Sequence, residues 1–135
     1  MRFERTLLIV KPDGVARGLV GEILVRVERK GYTIEKIHGL VISRALAERH
    51  YAEHKGKPFY DDLIGYITEG LAVVAVVGGE NAIESVRVVM GPTDPLEATP
   101  GSIRGAYATS VTRNLVHGSD STESAAREIA LFFSE

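Results

Sequence analysis

The 135-residue chain contains no cysteine, which excludes disulfides, thiolate metal ligands and a cysteine nucleophile. It has no apolar run near the roughly 20 residues that a membrane-spanning helix needs. Its first residues, Met1-Arg2-Phe3-Glu4-Arg5, lack the pattern of a secretory signal, so a cytoplasmic protein is expected. Neither charge sign dominates: sixteen Lys and Arg stand against eighteen Asp and Glu, with a pI near 6.1. General electrostatic affinity for nucleic acid or anionic lipid is thereby disfavoured, and any phosphate site must be a local cluster of cations. Internal repeats, linkers and low-complexity segments are missing, as are G-x-x-x-x-G-K-[ST], G-x-G-x-x-G and the protein-kinase catalytic loop. A protein of this composition that handles nucleotides must do so by another route.

What is present fits one domain over residues 1–135, with 44% hydrophobic and 25% charged residues. Thr6 to Val10 reads as a buried strand ending in a Pro12-Asp13-Gly14 turn, which places Lys11 at a strand end. Val20, Ile23, Leu24 and Val27 predict a helix from Val20 to about Lys30, stopped by Gly31. Tyr32 to Ile42 predicts a strand with Gly39 as a bulge, and Ser43 then caps a helix from Arg44 to about Ala52. A second helix is expected from Phe59, stopped by Gly70. The two short helices and the basic turn Lys55-Gly56-Lys57-Pro58 between them suggest a hinged flap bearing Tyr51, His54 and Phe59. Leu71 to Val77 reads as a central strand covered on both faces and ended by Gly78-Gly79. Asn81 and Glu84 look like a capping pair for a helix to Met90 that carries Arg87 near its C-terminal end. Gly91 to Thr112 shows no period and holds three of the five prolines, yet its low charge and its Ile103, Tyr107 and Val111 predict an ordered loop. Thr93 and Arg104 are its candidate phosphate ligands.

The stretch from Arg113 to Ser121 organises the rest. A short apolar run ends on His117, Gly118 follows, and Asp120 with Glu123 reads as a capping pair for a helix with an Ala125, Ile129, Phe132 and Phe133 stripe. A strand-end imidazole beside a turn is well placed for a nucleophile or general base. Glu128, beside that stripe, can reach back and fix the tautomer of the histidine. For each such residue taken singly the bland reading competes: a packed histidine, a solvated lysine or glutamate, a helix-end arginine, a core aromatic. Four strands alternating with helices give an α/β-type domain, and the pattern leaves open a doubly wound parallel sheet or an antiparallel βαββαβ sandwich.

Asn114-Leu115-Val116-His117-Gly118-Ser119-Asp120-Ser121, with Glu123-Ser124-Ala125 and Arg127-Glu128-Ile129 after it, closely resembles the active-site segment of nucleoside diphosphate kinases. Lys11-Pro12-Asp13-Gly14-Val15, His50-Tyr51-Ala52-Glu53-His54, Lys57-Pro58-Phe59 and Pro100-Gly101-Ser102-Ile103-Arg104-Gly105 stand where that family has its other motifs. Several motifs in the right order are far more specific than one.

The resemblance implies an α+β sandwich, the ferredoxin-like βαββαβ fold with a four-stranded antiparallel sheet covered by helices. It also implies a ping-pong kinase that moves the γ-phosphoryl group of a nucleoside triphosphate, mainly ATP, through a phosphohistidine to a nucleoside diphosphate. By resemblance His117 is the nucleophile, Glu128 orients it with Ser119 nearby, and Tyr51 lies close to it. Lys11 and Asn114 meet the ribose, Lys11 also nears the transferring phosphate, and Arg87, Thr93, Arg104 and His54 hold phosphates. Phe59 stacks on the base, a contact that tolerates any ring with a π-face. Mg²⁺ is expected to arrive on the nucleotide phosphates, with no protein metal ligands, and no specific nucleic-acid partner is expected. A homo-oligomer, hexameric or tetrameric, is implied as well. Ala106, Asp94 and Gly78-Gly79 depart from common residues of the family, and the chain lacks the longer C-terminal tail of many hexameric members; these departures bear on assembly and remove no catalytic group. A phosphohistidine carrier would not need Phe59, Lys11 and Asn114, and a non-enzymatic nucleotide- or nucleic-acid-binding module would not need His117 and Arg104.

Overall fold

The computed structural model describes residues 2–134. Strands β1 (Phe3–Val10), β2 (Thr33–Val41), β3 (Leu71–Glu80) and β4 (Val116–Gly118) form one sheet in the order β2-β3-β1-β4, every neighbouring pair antiparallel. Helices α1 (Pro12–Ala16) and α2 (Val20–Arg29) lie between β1 and β2, and α3 (Arg44–His50) and α4 (Tyr60–Ile67) between β2 and β3. Helices α5 (Ala82–Met90) and α6 (Ile103–Tyr107) precede β4, and α7 (Thr122–Phe133) follows it. This is the antiparallel ferredoxin-like sandwich, so the parallel alternative is excluded.

Alternation along β1 sends its side chains to two cores. Leu8 and Val10 pack with Ile23 and Val27 of α2 and with Val86 and Met90 of α5. Leu7 and Ile9 pack on the other face with Ala47 of α3, Ile64 and Ile67 of α4 and Phe132 of α7. All four β1 side chains are within 1% of complete burial, as expected of a strand covered on both faces. Because β1 is central and β4 is its neighbour, Ile9 pairs with His117. The end of the most buried strand therefore lies against the histidine singled out in the sequence.

Several local expectations shift. Gly78-Gly79 does not end β3, which continues to Glu80. The two glycines make room for side chains of the adjoining chain: a Cβ at Gly79 would strike the Tyr32 ring, and one at Gly78 the Glu35 carboxylate. The bulge in β2 falls at Glu35, between Ile34 and Lys36, while Gly39 pairs regularly with Val73. Pro12-Asp13-Gly14 is the start of α1, with proline at its first position, where the missing N–H costs nothing. Asn81 is left-handed (φ 52°) and its side chain makes no cap; Glu4 of β1 accepts from the Ile83 N–H at 3.2 Å in its place. Asp120 does not cap α7 either. Ser121 Oγ accepts from the Ser124 N–H at 3.0 Å, one residue later, which leaves the Asp120 carboxylate exposed at the cleft. Helix α4 begins at Tyr60, with Phe59 as its N-terminal flank.

The long loop is ordered by a cluster of small hydrogen bonds. Ser102 Oγ donates to the Thr99 carbonyl at 2.7 Å and accepts from the Gly105 N–H at 3.0 Å, and Arg26 donates to the Gly101 carbonyl at 2.9 Å. The backbone closes so tightly that a Cβ at Gly105 would overlap the Thr99 carbonyl, whereas one at Gly101 would meet nothing within 4 Å. Gly105→Ala should destabilise the chain by about 1–3 kcal/mol in urea unfolding, and Gly101→Ala by much less. Equal midpoints for the two variants would remove this account of the loop.

Candidate active site

Four pieces of chain converge at the C-terminal end of β1: Lys11, the α3–α4 segment, the ordered loop with α6, and β4 leading into α7. Between them is a cleft of about 580 Å³. Its walls include Lys11, Tyr51, His54, Phe59, Arg87, Thr93, Arg104, Asn114, His117 and Glu128. Ser119 is fully buried and stands behind the wall. Every residue singled out in the sequence is thus at this cleft or directly behind it.

The imidazole of His117 is about one-fifth exposed, and its Nε2 lies 2.8 Å from Glu128 Oε1. The turn from β4 into α7 brings the two together across eleven positions, because Glu128 projects from the buried face of α7 between Ala125 and Phe132. The same Oε1 accepts from Ser119 Oγ at 2.7 Å, and Ser119 Oγ accepts from the Leu7 N–H of β1 at 3.3 Å. Burial alone would raise the Glu128 carboxyl, but the hydrogen bonds and charge of His117 and the Ser119 hydroxyl outweigh it and hold it near 2. An ionised Glu128 accepts and never donates, so Nε2 carries a proton, and in the neutral form of the ring the lone pair is on Nδ1.

His50, a cleft residue that the sequence reading left out of the site, packs edge-on against His117 with ring centroids 4.7 Å apart. It is 4% exposed, and burial, reinforced by the nearby His117, pushes it down to about 3, so it is neutral. A helix-end histidine followed by a core tyrosine offers no sequence signal that separates this role from ordinary packing. Arg127 of α7 donates to the Arg49 and His50 carbonyls at 3.2 and 3.4 Å and ties the end of α3 to α7.

The cations occupy the opposite wall. Lys11 is 6% exposed and donates to Asn114 Oδ1 at 3.0 Å. Burial, then the nearby Arg104, lowers its ammonium to about 8. Asn114 is held in turn through its amide, which donates to the Val111 carbonyl at 2.8 Å. Arg104 is also 6% exposed, and burial, then Arg87, lowers it to about 10. Three of its N–H groups donate to main-chain carbonyls: Asn114 at 3.2 Å, Gly91 at 2.9 Å and Val116 at 2.7 Å. These bonds brace a strained turn. Leu115 has φ 79°, and the Val116 N–H bonds back to the Asn114 carbonyl at 2.9 Å, the pattern of a γ-turn. Such a conformation costs of order 1–3 kcal/mol for a non-glycine residue. Charge-assisted bonds of about 1.5–3 kcal/mol each are enough to offset it. Arg104 is therefore structural as well as cleft-lining, a role invisible in its sequence context. Arg87 and Thr93 are exposed at the rim.

Across the cleft, Phe59 is 46% exposed, with His54 at 5.5 Å and Lys57 Nζ at 5.9 Å from its ring centre. This gives a flat apolar face beside a charged floor. His50, His117 and Glu128 each offer a ligand atom within 4.8 Å of the others. Two imidazoles and one carboxylate suit a borderline transition metal better than Mg²⁺, which demands oxygen ligands. No helix among the described residues is long and apolar enough to cross a membrane.

The comparisons with known proteins agree with this geometry. A sequence model of the family described as "Nucleoside diphosphate kinase" matches residues 4–135. A nucleoside diphosphate kinase of Pelotomaculum thermopropionicum is 57% identical over 131 residues, 97% of this chain and 88% of that protein. The structure of a halophilic nucleoside diphosphate kinase from Halobacterium salinarum in complex with CDP superposes with a TM-score of 0.96. It is 46% identical, and the match covers 99% of this chain and 90% of that one. The nucleoside diphosphate kinase of Aquifex aeolicus gives a TM-score of 0.96 at 40% identity, covering 98% and 96% of the two chains. The chain belongs to the nucleoside diphosphate kinase family.

Proposed function

We propose that His117 is the residue through which this chain carries out the reaction of its family, the transfer of a γ-phosphoryl group from a nucleoside triphosphate to a nucleoside diphosphate through a phosphohistidine. The observation that carries the assignment is the Glu128–His117 bond at 2.8 Å inside a cleft walled by Lys11, Arg87 and Arg104. In the first half-reaction Nδ1 attacks the γ-phosphorus while the bond to the bridging β,γ-oxygen breaks and the diphosphate leaves. The Nε2 proton stays directed at Glu128, which stabilises the positive charge that the ring gains. In the second half-reaction a β-phosphate oxygen of another diphosphate attacks the phosphohistidine and the imidazole leaves. Phosphoryl transfer needs little from the protein beyond in-line positioning and neutralisation of spreading charge. The three cations supply the second, with Thr93 and His54 as further phosphate contacts.

The remaining cleft residues fit the nucleotide's other parts. Phe59 offers a stacking face without base-edge donors, which supports tolerance of all common bases. Lys11 and Asn114 are coupled at 3.0 Å and suit the ribose hydroxyls. Tyr51, 7% exposed and held protonated as burial and then Glu128 raise it to about 12, is a hydrogen-bond donor near the histidine. That the Halobacterium relative was solved in complex with CDP supports nucleotide binding by this chain. Mg²⁺ enters as part of the metal–nucleotide substrate, held by phosphate oxygens. A homo-oligomer, hexamer or tetramer, belongs to the same reading, supported by the exposed Val41 and Ile37 on edge strand β2 and by Leu96, 93% exposed in the Pro-rich loop. We place the protein in the cytoplasm, where free nucleotides are rephosphorylated.

His117→Ala should lower phosphotransfer by at least about 10³-fold while nucleotide binding stays close to wild type and the fold is kept at some loss of stability, since Glu128 loses one of its partners. Intact-mass spectra with Mg-ATP, near neutral pH and without acceptor, should show one acid-labile phosphate that disappears on adding GDP. A phosphoenzyme that persists in the variant would refute the assignment. Glu128→Ala should slow transfer about 10- to 100-fold by freeing the ring, since small misplacements cost that much; an unchanged rate would end its orienting role.

The pH profile follows from Lys11. Its ammonium is the useful form and is lost as pH rises through about 8 in the free protein. kcat/KM, which reports the free enzyme, should therefore fall above about pH 8, while kcat holds to higher pH because bound phosphates favour the charged form. Lys11→Arg, charged throughout, should lose the alkaline limb even if its rate is lower. A wild-type profile flat to pH 10 would exclude this use of Lys11.

A further inference from the structure

Lys11 presents a problem that the cleft itself does not solve. The residue is 6% exposed, yet no carboxylate lies within ion-pairing distance among the described residues. Asp13, two positions on, is the obvious partner. Its carboxylate instead accepts a hydrogen bond from the hydroxyl of Tyr66, on α4. The same tyrosine, 3% exposed, turns its ring toward Lys11, with Nζ 5.5 Å from the ring centre. Arg113 also lies against that ring, Cζ 4.9 Å from its centre, and is fixed by two bonds to Glu69 at 2.8 and 2.7 Å. Tyr66, Asp13, Arg113 and Glu69 do not line the cleft.

We infer that Tyr66 is a positioning residue for Lys11: its ring face holds the buried ammonium charged and aimed at the cleft, while its hydroxyl occupies the Asp13 carboxylate that would otherwise pair with it. A π-face stabilises a cation without neutralising it. A carboxylate at ion-pairing distance would compete with the incoming phosphate for the same charge, and a wholly apolar neighbour would leave the ammonium free to discharge. The tyrosine avoids both outcomes. Arg113 and Glu69 clamp the ring, and Arg113 immediately precedes Asn114, the hydrogen-bond partner of Lys11. Placement of the lysine, the asparagine and the aromatic face is thus one construction. The groups that bear on Lys11 are Asp13 of α1, Tyr66 of α4, His50 of α3 and Arg104 of α6. The first two favour its charge, while Arg104 opposes it.

The inference rests on the reading of Lys11 given above, so the test needs a measurement that does not depend on catalysis. Tyr66→Phe removes the hydroxyl and keeps the ring; Tyr66→Leu removes both. Acylation of Lys11 as a function of pH, followed by peptide mass spectrometry on nucleotide-free protein, gives its pKa directly. Both variants release Asp13, so the Lys11 pKa should lie lower in Tyr66→Leu, which also loses the ring, than in Tyr66→Phe. In Tyr66→Phe it should stay or rise, because the ring remains and Asp13 is released toward the ammonium. Phosphoenzyme formation with saturating Mg-ATP should slow about tenfold in Tyr66→Leu and less in Tyr66→Phe. Both variants lose the Asp13 bond, so unfolding in urea controls for a general loss of stability. Equal Lys11 titration in the two variants would overturn the inference, leaving Tyr66 a packing residue. If the wild-type protein formed no phosphoenzyme, the functional reading would fail, and the acylation titration would still decide the role of Tyr66.

Discussion

The Glu128 carboxylate is 4% exposed on the inner face of α7 and must be satisfied there, because an unpaired buried charge would cost several kcal/mol. Its partners are His117 and Ser119 at one oxygen and the Arg127 guanidinium, 3.6 Å away, at the other, and Ser119 is bonded through both its hydroxyl and its N–H to the backbone of Leu7 in the central strand. The helix therefore has a docking position in which the carboxylate is paired, and that position fixes the imidazole. Arg127, the residue before Glu128, reaches from the same helix to the carbonyls that end α3. One helix thus sets the His117 imidazole, the neutral His50 ring beside it and the entrance to the α3–α4 segment.

The opposite wall obeys a different constraint. Lys11 and Arg104 are both nearly buried, they repel each other, and both are lowered from their ordinary values first by burial. Protein groups satisfy these cations without neutralising them: carbonyls for Arg104, an amide oxygen and an aromatic face for Lys11. The free protein consequently keeps two buried cations without a paired carboxylate on this wall of the cleft. An anion that enters meets charges already oriented, which is the preorganisation that favours phosphoryl transfer over mere binding.

The order of elements was largely legible because periodicity reports burial, and the unbroken apolar run at Leu71–Val77 marked a doubly covered strand correctly. Caps and strand ends were less so. The N-terminus of α5 is capped by Glu4, seventy-nine positions from Ile83, and Gly78-Gly79 make room for Glu35 of β2 and for Tyr32 just before it. Such features depend on tertiary partners that local pattern does not contain. The cleft residues were legible as a set through family resemblance, since a strand-end lysine or a helix-end arginine alone carries little information. Ser119 illustrates the limit: its place behind the wall comes from the register between β1 and β4, and no spacing rule would provide it. Tyr66 and Arg113 were missed because a core aromatic and a solvated arginine look the same in sequence whatever they touch.

Strain and charge meet in the segment from Asn114 to His117. Leu115 adopts a conformation that few side chains accept, and its carbonyl receives the Lys11 N–H at 2.8 Å. A regular strand would put residues three apart on opposite faces; the turn lets Asn114 meet Lys11 and His117 meet Glu128 while both line the same cleft. The guanidinium that braces the turn from behind also lines the cleft. Under the proposed function, phosphate bound to Arg104 would therefore act on the group that supports the histidine's own strand, and anion binding and placement of His117 would share one side chain. Chemistry and backbone strain are in this way coupled through Arg104, and a lysine there, with one donor centre, could not brace three carbonyls in a plane.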